Sequence, residues 1–199
     1  MFWSRIAGLY DFFMEIYNKK VYFNIGKTVA EYIEPTDDVL ECACGTGAIS
    51  LRIAERCNSL VATDMASGML RRAEKKCAGF ANVSFAEADI TKLPYGDNRF
   101  DKVVAGNVIH LLEDPKRALD ELRRVTKPGG QMILPTYINR SKQSNRLAIW
   151  FLELLGANFK RQFDTDSYKA FFKDLGYEAV EYRTVEGRMP CAVAILCKS

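Results

Sequence analysis

The chain has 199 residues, 48% hydrophobic and 27% charged, with a net charge of +3, the balance of one soluble globular domain long enough to bury most of its apolar surface. No run approaches the eighteen or so continuous apolar residues of a membrane span. So small a charge, with Arg71, Arg72, Lys75 and Lys76 interleaved with acids along helices, argues against a nucleic-acid binder.

The first 34 residues stand apart from the rest. Phe2, Ile6, Leu9, Phe13 and Ile16 form one helical stripe, and Trp3, Tyr10 and Tyr17 repeat along another at every seventh residue. Such a helix packs on the domain, or serves as a lid over a pocket, or makes a weak membrane-surface contact. From Asp38 onward, apolar runs of strand length alternate with stretches of helical period, the pattern of helices on both faces of a parallel sheet. The strands are expected at "VLECA" from 39, "LVATD" from 60, "NVSFAEA" from 82, "DKVVAG" from 101 and "QMILPTYI" from 131. Between the last two, Pro115 opens a helix whose Ala118, Leu122 and Val125 share one face, and "KPGG" ends it. Leu147, Trp150, Phe151, Leu154 and Leu155 mark a further helix closed by Gly156, and another follows Asp164 or Thr165. The closing strands "YEAVEYRTV" and "CAVAILCK" are separated only by "EGRMP", a hairpin connection too short for a parallel crossover. A single domain over residues 1–199 is expected, with a helical lid over 1–34 and a helical insert over 138–176.

Six cysteines, with no basic-apolar-small leader ahead of them, read as reduced thiols of a cytoplasmic protein rather than as a disulfide framework. Two of them fall in the most informative stretch, "VLECACGTGAIS" at 39–50. A backbone without Cβ reaches positive φ and admits a ligand to the main chain, so Gly45 and Gly47 mark a binding crevice at the strand's carboxyl end. A dinucleotide fingerprint needs a third glycine where Ser50 stands, which weakens a nicotinamide reading, and no lysine follows as a triphosphate loop requires. Asp64 closes the second strand, where a carboxylate accepts from both hydroxyls of a ribose. Asp89 closes the third, where one accepts from an adenine amine. These acids point to an adenosine derivative without phosphates.

At this point the chain resembles the class I S-adenosylmethionine-dependent methyltransferases, in the branch of the ubiquinone/menaquinone and type 11 enzymes. The resemblance runs from about Tyr10 to the C-terminus through "VLECACGTG", "VATDMASGML", "EADITKLPYGDNRFDKVVAGNVIHLL", "ALDELRRVTKPGG" and the closing hairpin, in that order. It implies an α/β, Rossmann-like three-layer sandwich: a seven-stranded, mostly parallel sheet with a C-terminal antiparallel hairpin. The cofactor implied is S-adenosylmethionine, released as S-adenosylhomocysteine. By resemblance Glu41 organises the site around the methionine ammonium, and Ala43, Cys44, Gly45 and Gly47 bring the main chain to the methionine part. Asp64 holds the ribose, Met65 and Ile90 sandwich the adenine, and Asp89 meets its amine. Asn107 lies where backbone meets the methionine end, and Tyr10 matches a tyrosine that closes over the cofactor. Ala43 departs from the family's glycine.

Methyl transfer from a sulfonium needs an acceptor held in line behind the methyl carbon and water kept out. A base is needed only where the acceptor must lose a proton, and the single histidine, His110, is the candidate, set against a packed histidine at a helix start. The C-x-C pair Cys42 and Cys44, with Cys191 and Cys197 on the last strand, raises an arsenite-methylating thiol site, although no resident metal is expected and Cys57 and Cys77 read as packing. The aromatic residues of the first 23, with Trp150, Phe151, Phe159 and Phe163, favour an aromatic, quinone-like or lipid-head-group acceptor. A nicotinamide-dependent oxidoreductase and a non-catalytic cofactor-binding module stand as alternatives. Partners are expected to be a small-molecule substrate, with neither nucleic acid nor stable membrane insertion.

Overall fold

The computed structural model describes Met14, residues 16–139 and residues 160–199. Seven strands form one sheet in the order β3-β2-β1-β4-β5-β7-β6. They are β1 (Asp38–Cys42), β2 (Ser59–Asp64), β3 (Val83–Glu87), β4 (Phe100–Ala105), β5 (Thr126–Tyr137), β6 (Val180–Val185) and β7 (Cys191–Cys197). Strands β1 to β5 pair in parallel, and β7 runs antiparallel to both β5 and β6. Both faces of the central strands are buried, which is why they read as near-continuous apolar runs. The order reverses between β1 and β4, and the crevice outside the carboxyl ends of strands at such a reversal is where this architecture takes ligands.

Alternation along the strands divides the core. Leu40, Cys42, Val103 and Ala105 face one side, where α4 (Pro115–Val125) and α5 (Thr165–Asp174) supply Leu119, Leu122, Tyr168 and Phe172. Val39, Leu60, Ala62 and Val104 face the other, against α1 (Lys19–Ala30) and α2 (Ser50–Ala54), which bring Ile25, Val29 and Ile53. The period of two sends Glu41 to that second face with Val39, toward the first residue of α2. Helix α3 (Ser67–Lys76) follows β2.

Local chemistry sets the ends of these helices as the sequence indicates. The Asp114 carboxylate accepts from Arg117 N–H at 3.0 Å ahead of Pro115. Asp164 and Ser167 form a reciprocal capping box for α5, worth about 1 kcal/mol. Tyr168, wholly buried, donates its hydroxyl to Leu134 C=O at 2.6 Å and so ties α5 to β5.

Two expectations change. The strand expected from Gln131 extends back to Thr126, because "KPGG" is a bulge: Phe100 pairs with Thr126 but Lys102 with Gln131. Lys198 closes this bulge, its C=O accepting from Gly129 N–H at 2.7 Å and its N–H donating to Gly130 C=O at 2.9 Å. Near the N-terminus Ile16 is 66% exposed while Met14 is fully buried and Tyr17 half-buried. Over the described residues the inward side is therefore that of Met14 and Tyr17, three residues apart, and not the Ile16 stripe. The rest of that stripe, Tyr10, and the helix expected around Leu147 to Gly156 lie outside the described residues.

Candidate functional site

The carboxyl end of β1 turns through three left-handed residues at alternate positions, Ala43 (φ +53°), Gly45 (φ +55°) and Gly47 (φ +80°). Cys44 N–H donates to Thr63 C=O at 2.9 Å, and Gly47 N–H to Cys44 C=O at 3.0 Å, which fixes the turn beside β2. The two glycines serve different ends. A Cβ on Gly45 would meet no atom within 4 Å, so the space beside it is open, whereas one on Gly47 would come within 2.9 Å of the Ala73 backbone, where α3 packs. Ala43 holds a left-handed conformation with a Cβ in place, at a cost of roughly 1–2 kcal/mol.

Glu41 lies beneath this turn, 1% exposed, its carboxylate accepting from Ser50 Oγ. Burial pushes its carboxyl up to about 8; the Ser50 hydroxyl draws it back and the neighbouring Asp64 adds to the rise. Ser50 is thus the residue at the third position of the would-be dinucleotide fingerprint, and its hydroxyl is committed to this acid. Asp64, half-buried, braces the turn from β2: one carboxylate oxygen accepts from Gly45 N–H at 2.9 Å and the other from Ala66 N–H at 2.8 Å. Burial raises its carboxyl too, and those N–H groups oppose the rise. Met65 stands 48% exposed at the rim.

The exit of β4 forms the opposite bank. Asn107 is left-handed (φ +55°), its N–H donating to Pro135 C=O at 2.7 Å and its side-chain oxygen accepting from Tyr137 N–H at 3.1 Å. Next comes a short 3-10 turn, Ile109–Leu111. Arg161 clamps that turn by donating to the Ile109 and Leu112 carbonyls at 3.1 and 2.7 Å. His110 is 7% exposed, and burial, aided by the Arg161 charge, lowers its imidazole to about 4. The ring is therefore neutral at physiological pH.

These banks enclose a cavity of about 310 Å3. Of the residues singled out in the sequence, Glu41, Ala43, Cys44, Gly45, Asp64, Met65, Ile90, Asn107 and His110 line it. Gly47 does not, being turned to α3. Asp89 also stands outside the lining: it is exposed, and its carboxylate accepts from Thr91 N–H and Oγ1, each at 2.8 Å, while Ala88 and Ile90 on either side of it line the cavity. The rest of the lining is largely apolar and includes Leu111, Leu112, Ile138, Phe163 and Met189, with Arg161 among them. Sequence reasoning missed Met14, Met189 and Arg161 as lining residues, whereas Tyr22 is one of the aromatic residues of the first 23 that it associated with the acceptor.

The wall from Met14 to Tyr22 is stitched to the terminal hairpin by buried Asn18. Its side-chain amide donates to Met189 C=O at 2.7 Å and accepts from Met189 N–H at 3.2 Å.

The thiols do not assemble. Burial raises Cys42 to about 12 and Cys44 well above its ordinary value. Strands β4 and β5 stand between β1 and β7, which puts Cys191 and Cys197 more than about 14 Å from Cys42 at ordinary strand spacing. Among the described residues no group of three His, Cys, Asp or Glu could hold a metal ion, and no helix is long and apolar enough to cross a membrane.

Residues 40–134 match the family pattern of a methyltransferase domain. The chain is 30% identical over 176 residues to a demethylmenaquinone methyltransferase of Renibacterium salmoninarum, covering 77% of this chain and 71% of that one. It is 32% identical over 136 residues to a ubiquinone/menaquinone biosynthesis C-methyltransferase of Bdellovibrio bacteriovorus, covering 66% of this chain and 58% of that relative's length. In fold it is similar to a crystal structure from Thermotoga maritima described as an S-adenosylmethionine-dependent methyltransferase, possible histamine N-methyltransferase. That likeness has a TM-score of 0.78 at 19% identity and covers 100% of this chain and 99% of that one.

Proposed function

The chain belongs to the family of S-adenosylmethionine-dependent methyltransferases, and from that premise we propose that it methylates a small, largely apolar acceptor of quinone-like or hydroxyaromatic type. The observation that carries this reading is the mixed lining of one cavity. It joins an acidic, open-backboned part at Glu41, Gly45 and Asp64 to apolar side chains at Leu111, Leu112, Ile138, Phe163 and Met189.

The residues present fit the cofactor. Glu41 is a buried carboxyl whose hydrogen-bonding partner in the structure is one hydroxyl, so an ammonium beside it would supply the missing counter-charge. The open space beside Gly45 leaves room against the main chain. Asp64 uses one lone pair of each oxygen on a backbone N–H and keeps others for ribose hydroxyls. Met65 and Ile90 would flank the adenine, and Asp89 could reach its amine only by turning from Thr91. S-adenosylmethionine supplies an electrophilic methyl group when bound. This chain's part is to seat the acceptor against the apolar lining, exclude water, and hold Asn107 and its neighbouring backbone rigid.

Neutral His110, which lines the same cavity, is the group able to take a proton from an acidic hydroxyl. With an imidazole near 4 it is a weak base, so an acceptor that ionises readily suits it better than an alcohol or amine. We assign residues 1–34 as a lid and 138–176 as an insert on the acceptor side, in a single domain working in the cytoplasm, where its six free thiols would persist.

Incubation with methyl-labelled S-adenosylmethionine and a panel of reduced quinones, phenols, amines, thiols and arsenite tests this. Label in a hydroxyaromatic or quinol product is expected. Label in methylated arsenic instead would restore the thiol site, and transfer to none of the classes would leave a binding module.

A further inference from the structure

The large apolar side chains that stand exposed among the described residues are Ile16, Phe23 and Met65. All three lie on segments that border the cavity. Met65 lines it directly, Ile16 is two residues from the lining residue Met14, and Phe23 meets the ring of the lining residue Tyr22 edge-on at 5.6 Å. Helix α1 therefore has two working sides: Tyr22 and Ile25 face the cavity, while Lys19, Lys20, Phe23 and Lys27 face outward. Lys20, Phe23 and Lys27 follow one another at helical spacing, so an aromatic ring sits between cations on one stripe.

Both helices that meet at Tyr22 are basic. Helix α1 carries three lysines and no acid, and α3 carries Arg71, Arg72, Lys75 and Lys76 against Glu74 alone. Lys76 Nζ donates to Tyr22 OH at 3.1 Å, which brings the end of α3 against α1. Seven cations and one acid give these two helices a net charge of +6, twice the +3 of the whole chain. The remainder of the molecule is therefore net negative.

We propose that the outer face of α1, with the adjoining end of α3, docks on an anionic lipid bilayer. Phe23 and Ile16 would enter the boundary between headgroups and acyl chains, and the lysines would pair with lipid phosphates. Exposed aromatic and branched side chains between lysines suit an interface that is charged at its surface and apolar just beneath. A second copy of the same face would bring like charges together, which disfavours self-association there. Docked this way, helix α1 rests its outer side on the lipid, where an apolar acceptor partitions, and turns its inner side, with Tyr22 and Ile25, to the cavity.

Co-sedimentation of the full chain with vesicles of phosphatidylcholine alone, or of phosphatidylcholine mixed with phosphatidylglycerol, tests the proposal. Binding to the mixed vesicles at least tenfold stronger than to the neutral ones, weakened by salt, is expected. The double variant Lys19→Glu, Lys20→Glu should lose about tenfold or more of that binding, and Phe23→Ser should lose several-fold. Calorimetry with S-adenosylhomocysteine on the lysine variant should give unchanged affinity, so the docking surface and the cofactor reading fail separately. Equal binding to both vesicle types, no binding to either, or lysine variants that bind like the parent chain would overturn the proposal. A dimer that dissociates in the Lys19→Glu, Lys20→Glu variant would overturn it in favour of self-association.

Discussion

Replacing Glu41 by Gln removes a charge and keeps a group able to accept from Ser50. In the parent chain burial pushes this carboxyl from 4.5 up to about 8, which corresponds to roughly 5 kcal/mol held against its ionised form. Between those two values the folded chain holds a proton on Glu41 that the unfolded chain has lost. Stability of the cofactor-free protein should therefore fall as pH rises from about 4.5 to 8 and level off above. Ser50, Asp64 and the buried thiols Cys44 and Cys77 surround this acid with no cation. Thermal unfolding from pH 5 to 9 should show the parent losing stability relative to Glu41→Gln, by roughly 3 kcal/mol at pH 7. An ammonium seated at Glu41 would expel its proton, so affinity for S-adenosylhomocysteine should rise about tenfold per pH unit below 8. Titrations in two buffers of different ionisation heat should register release of about one proton at pH 7. Parallel stability curves for the two proteins, together with equal heats in both buffers, would refute the reasoning.

Asp64→Ala strands the Gly45 and Ala66 N–H groups, so it should cost about 1–3 kcal/mol of stability as well as weakening S-adenosylhomocysteine binding; a thermal melt beside a titration reads both, and an unchanged melt would contradict the bracing role. Gly47→Ala should destabilise by about 1–3 kcal/mol, since its methyl meets Ala73, whereas Gly45→Ala should cost only about 1 kcal/mol in the melt and act chiefly on cofactor affinity. Because His110 is neutral above about pH 4, the transfer rate should show no inflection near 6.5 that disappears in His110→Gln; finding one would show the ring to be more solvated than described. Brief alkylation of the native protein followed by mass spectrometry should label Cys197 ahead of Cys42, Cys44, Cys57, Cys77 and Cys191, which are buried.

Much of this architecture is legible in the chain because a strand buried on both faces has no polar positions to spare: "VLECA" and "DKVVAG" reveal β1 and β4 without any partner being known. The helix ends at Asp114 and Asp164 are equally local, since a cap depends on three or four residues. The glycine turn after β1 and Asp64 at the end of β2 pointed to the site from the residues alone, and Glu41, a polar exception in a buried strand, entered through the resemblance. Period two also assigns it to the α2 face, where Ser50 waits. What stayed hidden depends on distant chain. Nothing near "KPGG" tells that Lys198 will bond into it and make it a bulge. Asp89 looks like Asp64, each read as the acid that closes a strand, but Thr91 offers it two donors at 2.8 Å. Met189 and Arg161 reach the cavity from turns whose placement is set by the hairpin and by the carbonyls around His110.

The amide clasp between Asn18 and Met189 joins positions 171 residues apart, and it has a bearing on how the protein is made. One flank of the pocket is supplied by residues synthesised 171 positions ahead of those that form its seam. A nascent chain on the ribosome can therefore assemble the strands that cradle an adenosine long before it owns a sealed chamber. Catalytic competence should arrive abruptly, after β7 clears the exit tunnel, and any ligand met earlier would face an unfinished, water-filled groove.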